Sequence, residues 1–178
     1  LPANFQSLKI LQTQNRIGAA FKIVHKLAKS RYTISEVFVL GASLYAKEKN
    51  YDEAIALLEE GFKKFPENLQ LLFLVGVYQE RAGKYGDCIA TMKKIIRADA
   101  NNSSALNYLG YMWAERGLNL DIAERLIRRA LSLKPEDGFY LDSLGWVFYQ
   151  RKEYEKALEF LLKAVGIEPD EGVIIEHV

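Results

Sequence analysis

The feature that most constrains this chain is a glycine that returns every 34 or 35 residues, each time after a large apolar residue. The four glycines are Gly41, Gly76, Gly110 and Gly145. A small residue keeps the same register at Ala54, Cys88, Ala123 and Ala157. Proline closes three of the four intervals, at Pro66, Pro135 and Pro169. A fixed period of this length indicates stacked supersecondary repeats in place of one globular core.

Each repeat divides into two apolar stretches with helical spacing. In the last complete repeat the apolar residues are 141, 144, 147 and 148, and then 157, 158, 161 and 162. We therefore expect two antiparallel helices per repeat, joined by a tight turn such as Glu48–Asn50. Glycine inside a helix costs about 1 kcal/mol relative to alanine. A glycine that is kept four times thus predicts close contact between the paired helices.

The spacing of these anchors resembles the tetratricopeptide repeat, whose pattern is W-x2-L-G-x2-Y, followed by A-x3-F and then by A and P. The repeat that begins near residue 138 matches this pattern at Leu141, Leu144, Gly145, Phe148, Ala157, Leu161, Ala164 and Pro169. The resemblance covers almost the whole chain. The C-terminal stretch that begins at Asp142 is similar to bacterial multi-repeat proteins of this family. The resemblance implies an all-α fold, a right-handed superhelical solenoid of antiparallel helix pairs whose first helices line the inner surface.

The register also predicts how the chain is organised, as a single solenoid over residues 1–178. We expect its repeats at about 1–33, which is degenerate, and at 34–68, 69–102, 103–137 and 138–171, with the start of a further repeat at 172–178. The first repeat would begin with a helix at about 3–14. Because the chain opens at Leu1 and closes inside a repeat, we expect it to be a piece of a longer protein.

Composition and the scarcity of reactive side chains argue against catalysis. Lysine and arginine number 24 against 23 for aspartate and glutamate, and the net charge of +1 disfavours a general nucleic-acid binder. The densest basic cluster, at 125–129, is expected on the outer face. His25 and His177 lie near opposite ends, and Cys88 is expected to be buried. We therefore predict no enzyme, no metal site and no cofactor, and no apolar run has the length of a membrane span.

The resemblance further implies a ligand-binding groove, because positions 2, 5, 9, 12 and 13 of the first helices form the family's inner face. In the N-terminal half the candidate residues are Phe5, Phe38, Tyr45, Phe73 and Val77. In the C-terminal half they are Asn107, Tyr111, Phe139, Asp142, Trp146 and Tyr149. Exposed aromatic residues in a concavity are typical anchors for a partner. The alternative is that some of these rings pack against the neighbouring first helix and are mostly covered.

We therefore predict a scaffold or adaptor that binds a peptide or helix of a partner protein in this aromatic groove. One alternative is self-assembly into a homo-oligomer through apolar residues of the last segment, which are Val173, Ile174, Ile175 and Val178. Another is that the chain docks or regulates a further domain of a longer protein, for example one associated with the bacterial envelope. The sequence leaves the compartment open between the cytoplasm and the periplasm, where an outer-membrane lipoprotein would be the setting.

Overall fold

The computed structural model describes residues 17–177, with side chains from residue 18 onward. These residues form ten helices and no strand: α1 Ile17–Ala28, α2 Ser35–Lys47, α3 Tyr51–Lys64, α4 Leu69–Arg81, α5 Tyr85–Ala98, α6 Ser103–Glu115, α7 Leu120–Leu133, α8 Gly138–Gln150, α9 Tyr154–Ile167 and α10 Gly172–His177. The all-α fold class is confirmed. The predicted helix at about 3–14 and the groove residue Phe5 lie outside the described residues.

Two compact units make up the chain, one up to Thr91 and one from Met92. In the first unit, one apolar core joins α1, α2, α3 and α4. An added Cβ at Gly41 of α2 would lie 2.5 Å from Leu57 Cδ2 and 2.6 Å from Val24 Cγ1. The close helix contact predicted from the repeated glycine is thus confirmed here.

The second unit uses the same device. An added Cβ at Gly145 of α8 would lie 2.7 Å from Leu161 Cγ and 3.2 Å from the carbonyl oxygen of Ala157 on α9. At Gly110 of α6 it would lie 3.0 Å from the carbonyl oxygen of Ala123 on α7. Ala123 and Ala157 are almost completely buried, so the small residues of the second helices approach the glycines from the other side.

Helix α8 inserts one side chain, Tyr140, into the preceding helix pair. Its ring packs against Leu106 of α6 and Ala130 of α7. The Tyr140 hydroxyl donates a hydrogen bond of 3.1 Å to Ser103 Oγ. A buried hydroxyl without such a partner would be destabilising, so this socket suits tyrosine.

Helix α10 repeats the arrangement with Ile174, which packs against Leu141 of α8 and Ala164 of α9. Ile174 is fully buried, so the prediction that it stands uncovered is wrong. The residues on either side of it do remain exposed, Val173 by 57% and Ile175 by 50%. Ile174 is therefore the fully buried apolar contact of α10.

The helices end close to the prolines that the sequence analysis used to mark the ends of repeats. Pro66, Pro135 and Pro169 each stand two residues after a second helix, namely α3, α7 and α9. The side chains of Asn68, Asn102 and Asp137 accept hydrogen bonds from the first-turn backbone of α4, α6 and α8. Five residues in the turns within pairs have positive φ, between 49° and 75°: Lys49, Gly83, Gly117, Asn119 and Lys152.

Candidate peptide-binding surface

The groove prediction for Phe38 is wrong, because its side chain lies inside the first unit. Phe38 is fully buried, and an added Cβ at Gly61 would lie 2.6 Å from its ring. Gly61 therefore leaves the space that the ring fills. Phe65 covers another side in an edge-to-face contact, with ring centroids 6.2 Å apart. A ligand has no access to this ring while the helices are packed.

The other described candidates of the first unit are partly buried. Tyr45 stacks on Phe21 of α1 with ring centroids 4.3 Å apart, and its hydroxyl lies 3.0 Å from Nε2 of His25. Burial raises the pKa of the Tyr45 hydroxyl. Tyr45 therefore joins α2 to α1. Phe73 and Val77 of α4 are partly covered as well.

More of the predicted surface is open in the second unit, where α6 packs against α8. Phe139 and Tyr149 of α8 keep 47% and 45% of their surface exposed. Asn107 and Tyr111 of α6 and Trp146 of α8 are partly buried. Five of the six candidates on these two adjacent first helices are therefore at least partly exposed.

Asp142 of α8 is covered, so the prediction that it lines an open groove is wrong. It is only 5% exposed, and Nδ1 of His177 lies 2.8 Å from its Oδ1 and 3.0 Å from its Oδ2. Burial raises the pKa of the Asp142 carboxyl, while the hydrogen bond and charge of His177 offset part of that rise. The covering group comes from α10, which packs on α8.

Trp146 lies one helical turn after Asp142 and stacks on two other rings. The imidazole of His177 stacks on it with ring centroids 4.4 Å apart and planes inclined by 28°. Tyr149 stacks on it at 4.9 Å and 17°. The three rings form a continuous aromatic stack from α10 to the exposed end of α8.

Two side-chain atoms of the predicted groove residues are buried without a hydrogen-bond partner. They are Nε1 of Trp146, which is a donor, and Oδ1 of Asn107, which is an acceptor. A buried polar atom left unpaired costs about 1–3 kcal/mol, and native structures keep few of them.

His177 is the site residue that the sequence analysis missed. The signal was present in the repeat register, because Asn107, Asp142 and His177 follow one another at intervals of 35 residues. They therefore occupy the same position on three successive first helices.

Each of the two exposed aromatic residues of α8 lines a cleft. One of about 560 Å³ is lined by Phe139 together with Lys134, Glu136 and Glu168. Another of about 240 Å³ is lined by Tyr149 together with Tyr154, Leu158 and His177. Spaces of this size accept single side chains of a partner.

Two arginines of the basic cluster on α7 have partners within the second unit. In the basic cluster, Arg128 Nε donates to Glu124 at 2.7 Å and Arg129 Nη2 donates to Asn101 at 3.2 Å. Cys88 is buried, as predicted. Between residues 17 and 177, no three histidine, cysteine, aspartate or glutamate side chains converge as a metal site requires. None of the described helices has the length and apolar character needed to cross a bilayer.

Family models of the tetratricopeptide repeat match residues 45–110 and 114–172. A TPR repeat-containing protein from Pseudomonas aeruginosa is 28% identical over 175 residues, which is 97% of this chain and 30% of that protein. The chain thus spans less than a third of the length of this curated relative.

Solved structures agree with the fold. A structure described as "YrrB: a TPR protein with an unusual peptide-binding site" superposes with a TM-score of 0.68 at 20% identity, covering 97% of this chain and 89% of that one. MamA from Desulfovibrio magneticus superposes with a TM-score of 0.73 at 15% identity, covering 96% of each chain. At this level of identity the likeness is one of fold.

Proposed function

Because this chain belongs to the tetratricopeptide repeat family, we propose that its second unit binds a peptide or helix of a partner protein along α6 and α8. Arrays of this repeat typically serve as non-enzymatic modules for protein–protein interaction. The chain is accordingly a protein-interaction scaffold. What we propose beyond this is that the partner binds to one surface of the second unit.

The main support is a pair of half-exposed aromatic rings, Phe139 and Tyr149, each of which lines a cleft. Aromatic anchors next to pockets dominate the binding energy of protein interfaces. The peptide-binding site named for YrrB supports a peptide as the ligand class.

Affinity capture from the native cell, followed by binding measurements with the partner so identified, tests this proposal. The double variant F139A/Y149A should lose the partner, because it removes both exposed rings. Leu133→Ala is the matched control, since Leu133 is an apolar residue of the second helix α7 with 39% exposure. Partner binding that survives F139A/Y149A undiminished would refute the proposal, provided that circular dichroism shows unchanged helix content.

A second candidate, self-assembly, has its own observation. Leu158 and Leu162 of α9 are 45% and 54% exposed, and Val173 and Ile175 of α10 are half-exposed too. Exposed apolar residues on neighbouring helices can pair two copies of a chain. Light scattering over a concentration series tests this, with Leu162→Glu as the variant that should prevent association. A monomeric mass at every concentration would exclude it.

A further inference from the structure

The larger cleft of the second unit combines an exposed aromatic ring with several carboxylates. Its walls come from the segment that precedes α8, from α8 itself and from the segment that follows α9. The lining residues are Lys134, Pro135, Glu136, Asp137, Phe139 and Glu168. The volume of about 560 Å³ lies within the roughly 300–1,000 Å³ that is typical of ligand-binding sites. The structure describes the chain on both sides of each wall, and the cleft is open.

The aromatic ring of this cleft stands where other repeats carry polar residues. Ser35, Gln70 and Ser104 precede Phe139 at the second position of successive repeats. The helix pairs that contain them fold with a hydroxyl or an amide at this position, so helix packing does not require a ring there. Because Phe139 is nevertheless 47% exposed, we attribute it to contact with a ligand.

Gly138, the first residue of α8, makes room for the side chain of Glu168. An added Cβ at Gly138 would lie 2.6 Å from Cγ of Glu168 and 3.3 Å from the carbonyl oxygen of Ala164. The aliphatic part of Glu168 therefore packs on the start of α8. The glycine thus allows an acidic side chain to form one wall of the cleft, beside the residue that supplies the ring.

The cleft carries an excess of negative charge. Three of its lining residues are acids, Glu136, Asp137 and Glu168, whereas Lys134 is its one base. Asp137 accepts a hydrogen bond from the backbone of Tyr140, but no ion pair between described residues uses Glu136 or Glu168. The whole chain has a net charge of +1, so this excess is local and does not follow from composition. It attracts the cation of a ligand.

We propose that this cleft binds a partner segment in which apolar side chains adjoin a lysine or an arginine. The proposal rests on the proposed function, because this segment is part of the peptide bound along α6 and α8. Its apolar side chains contact Phe139 and Pro135, and its cation lies near Glu136 and Glu168. An acidic segment would meet like charges, so the cleft distinguishes partners by charge as well as by apolar character.

Three blocked tetrapeptides test the cleft without the partner. Their sequences are lysine–leucine–leucine–lysine, glutamate–leucine–leucine–glutamate and lysine–serine–serine–lysine, so that charge and apolar character change separately. The full chain is titrated with each peptide up to roughly 10 mM, which detects weak binding. Binding is followed by the backbone amide resonances of residues 136–139 and 168.

We expect the lysine–leucine peptide to bind about fivefold more tightly than either of the other two, because it alone supplies both groups. The variants F139A and E136Q/E168Q should each lower its affinity about fivefold, and added salt should weaken its binding to the unaltered chain more than to E136Q/E168Q. The matched control is E53Q/E155Q, since Glu53 and Glu155 are exposed acids in the first turns of α3 and α9. This control should bind as the unaltered chain does.

A glutamate–leucine peptide that bound as tightly as the lysine–leucine peptide would overturn the proposal. So would an affinity that E136Q/E168Q leaves unchanged, or the absence of any shift at the cleft resonances. Hydrogen exchange at α8 confirms that each variant is folded. If the peptides fail while F139A/Y149A still loses the captured partner, the charge assignment is removed and the proposed function stands.

Discussion

Arg151 at the end of α8 bonds the carboxylate of Glu124 on α7, with Nη1 2.5 Å from Oε2. Both side chains are only 20% exposed. Arg128 Nε donates to the other oxygen, Oε1, at 2.7 Å, and Arg151 Nη2 reaches Asp121 at 2.6 Å. Glu124 therefore lies between two guanidinium groups and connects successive helix pairs in the second unit.

Glu124→Gln should destabilise the second unit at neutral pH by about 1–2 kcal/mol, because two charge-assisted hydrogen bonds are weakened. Burial acts to raise the pKa of Glu124, but the hydrogen bonds and charges of Arg128 and Arg151 outweigh it and hold the pKa below its usual value. The stabilisation by Glu124 is therefore present above the usual pKa of glutamate and is lost as pH falls through the lowered pKa of the folded chain. Urea unfolding at about pH 7 and about pH 3 measures the change.

The control for this experiment is Glu155→Gln, since Glu155 is an exposed acid in the first turn of α9. It should change the free energy of unfolding little at either pH. A deficit in Glu124→Gln that stayed the same under acidic conditions would show that the ion pairs do not cause it.

Asp142→Asn should show the opposite dependence on pH. Burial raises the pKa of the Asp142 carboxyl, and His177 offsets part of that rise. The carboxyl therefore stays protonated to a higher pH in the folded chain than in the unfolded chain. The stability contributed by the protonated Asp142 is fully present below the usual pKa of aspartate. It is lost as pH rises through the raised pKa of the folded chain. Asparagine stays neutral, so the stability of D142N relative to the unaltered chain should increase over that interval. A relative stability that decreased there would contradict the raised pKa.

Gly145→Ala and Gly166→Ala form a matched pair in the second unit. The added methyl at Gly145 would meet Leu161 Cγ at 2.7 Å, so we expect a loss of about 1–3 kcal/mol from overpacking. At Gly166 of α9 nothing lies within 4 Å, and alanine should stabilise the helix by up to about 1 kcal/mol. Thermal unfolding followed by circular dichroism compares them. If both changes lowered the melting temperature equally, close helix contact would not be the reason for the repeated glycine.

Phe38→Ala and Phe139→Ala separate a core phenylalanine from a surface one. Phe38 is fully buried, so its loss should cost about 3–5 kcal/mol and unfold the first unit in mild denaturant. Phe139 is 47% exposed, and its loss should leave stability nearly unchanged while weakening partner binding. Urea titration gives the free energy of unfolding. A small cost at Phe38 would restore it as a groove candidate.

The repeat register was sufficient to predict the fold, because period, glycines and prolines are local signals. It was less informative about which groove residues are exposed. Phe38 and Phe139 were both assigned to the groove from their first-helix positions, but only the structure shows that Gly61 makes room for the first ring. The contact between His177 and Asp142 depends on how α10 packs, and Ile174 determines that packing. Periodicity reports the position of a residue on its helix, whereas exposure depends on neighbours that differ from repeat to repeat.

The side chains that join successive helix pairs of the second unit also restrict how this array could evolve by recombination. Tyr140 needs the hydroxyl of Ser103, but the residue 35 positions later is Gly138, which offers none. Ile174 fills the socket there with carbon alone. Exchanging the two repeats would bury a tyrosine hydroxyl beside a glycine and leave a serine without its donor. Gene duplication can lengthen such an array, but at these two junctions the side-chain chemistry constrains which repeat can follow which.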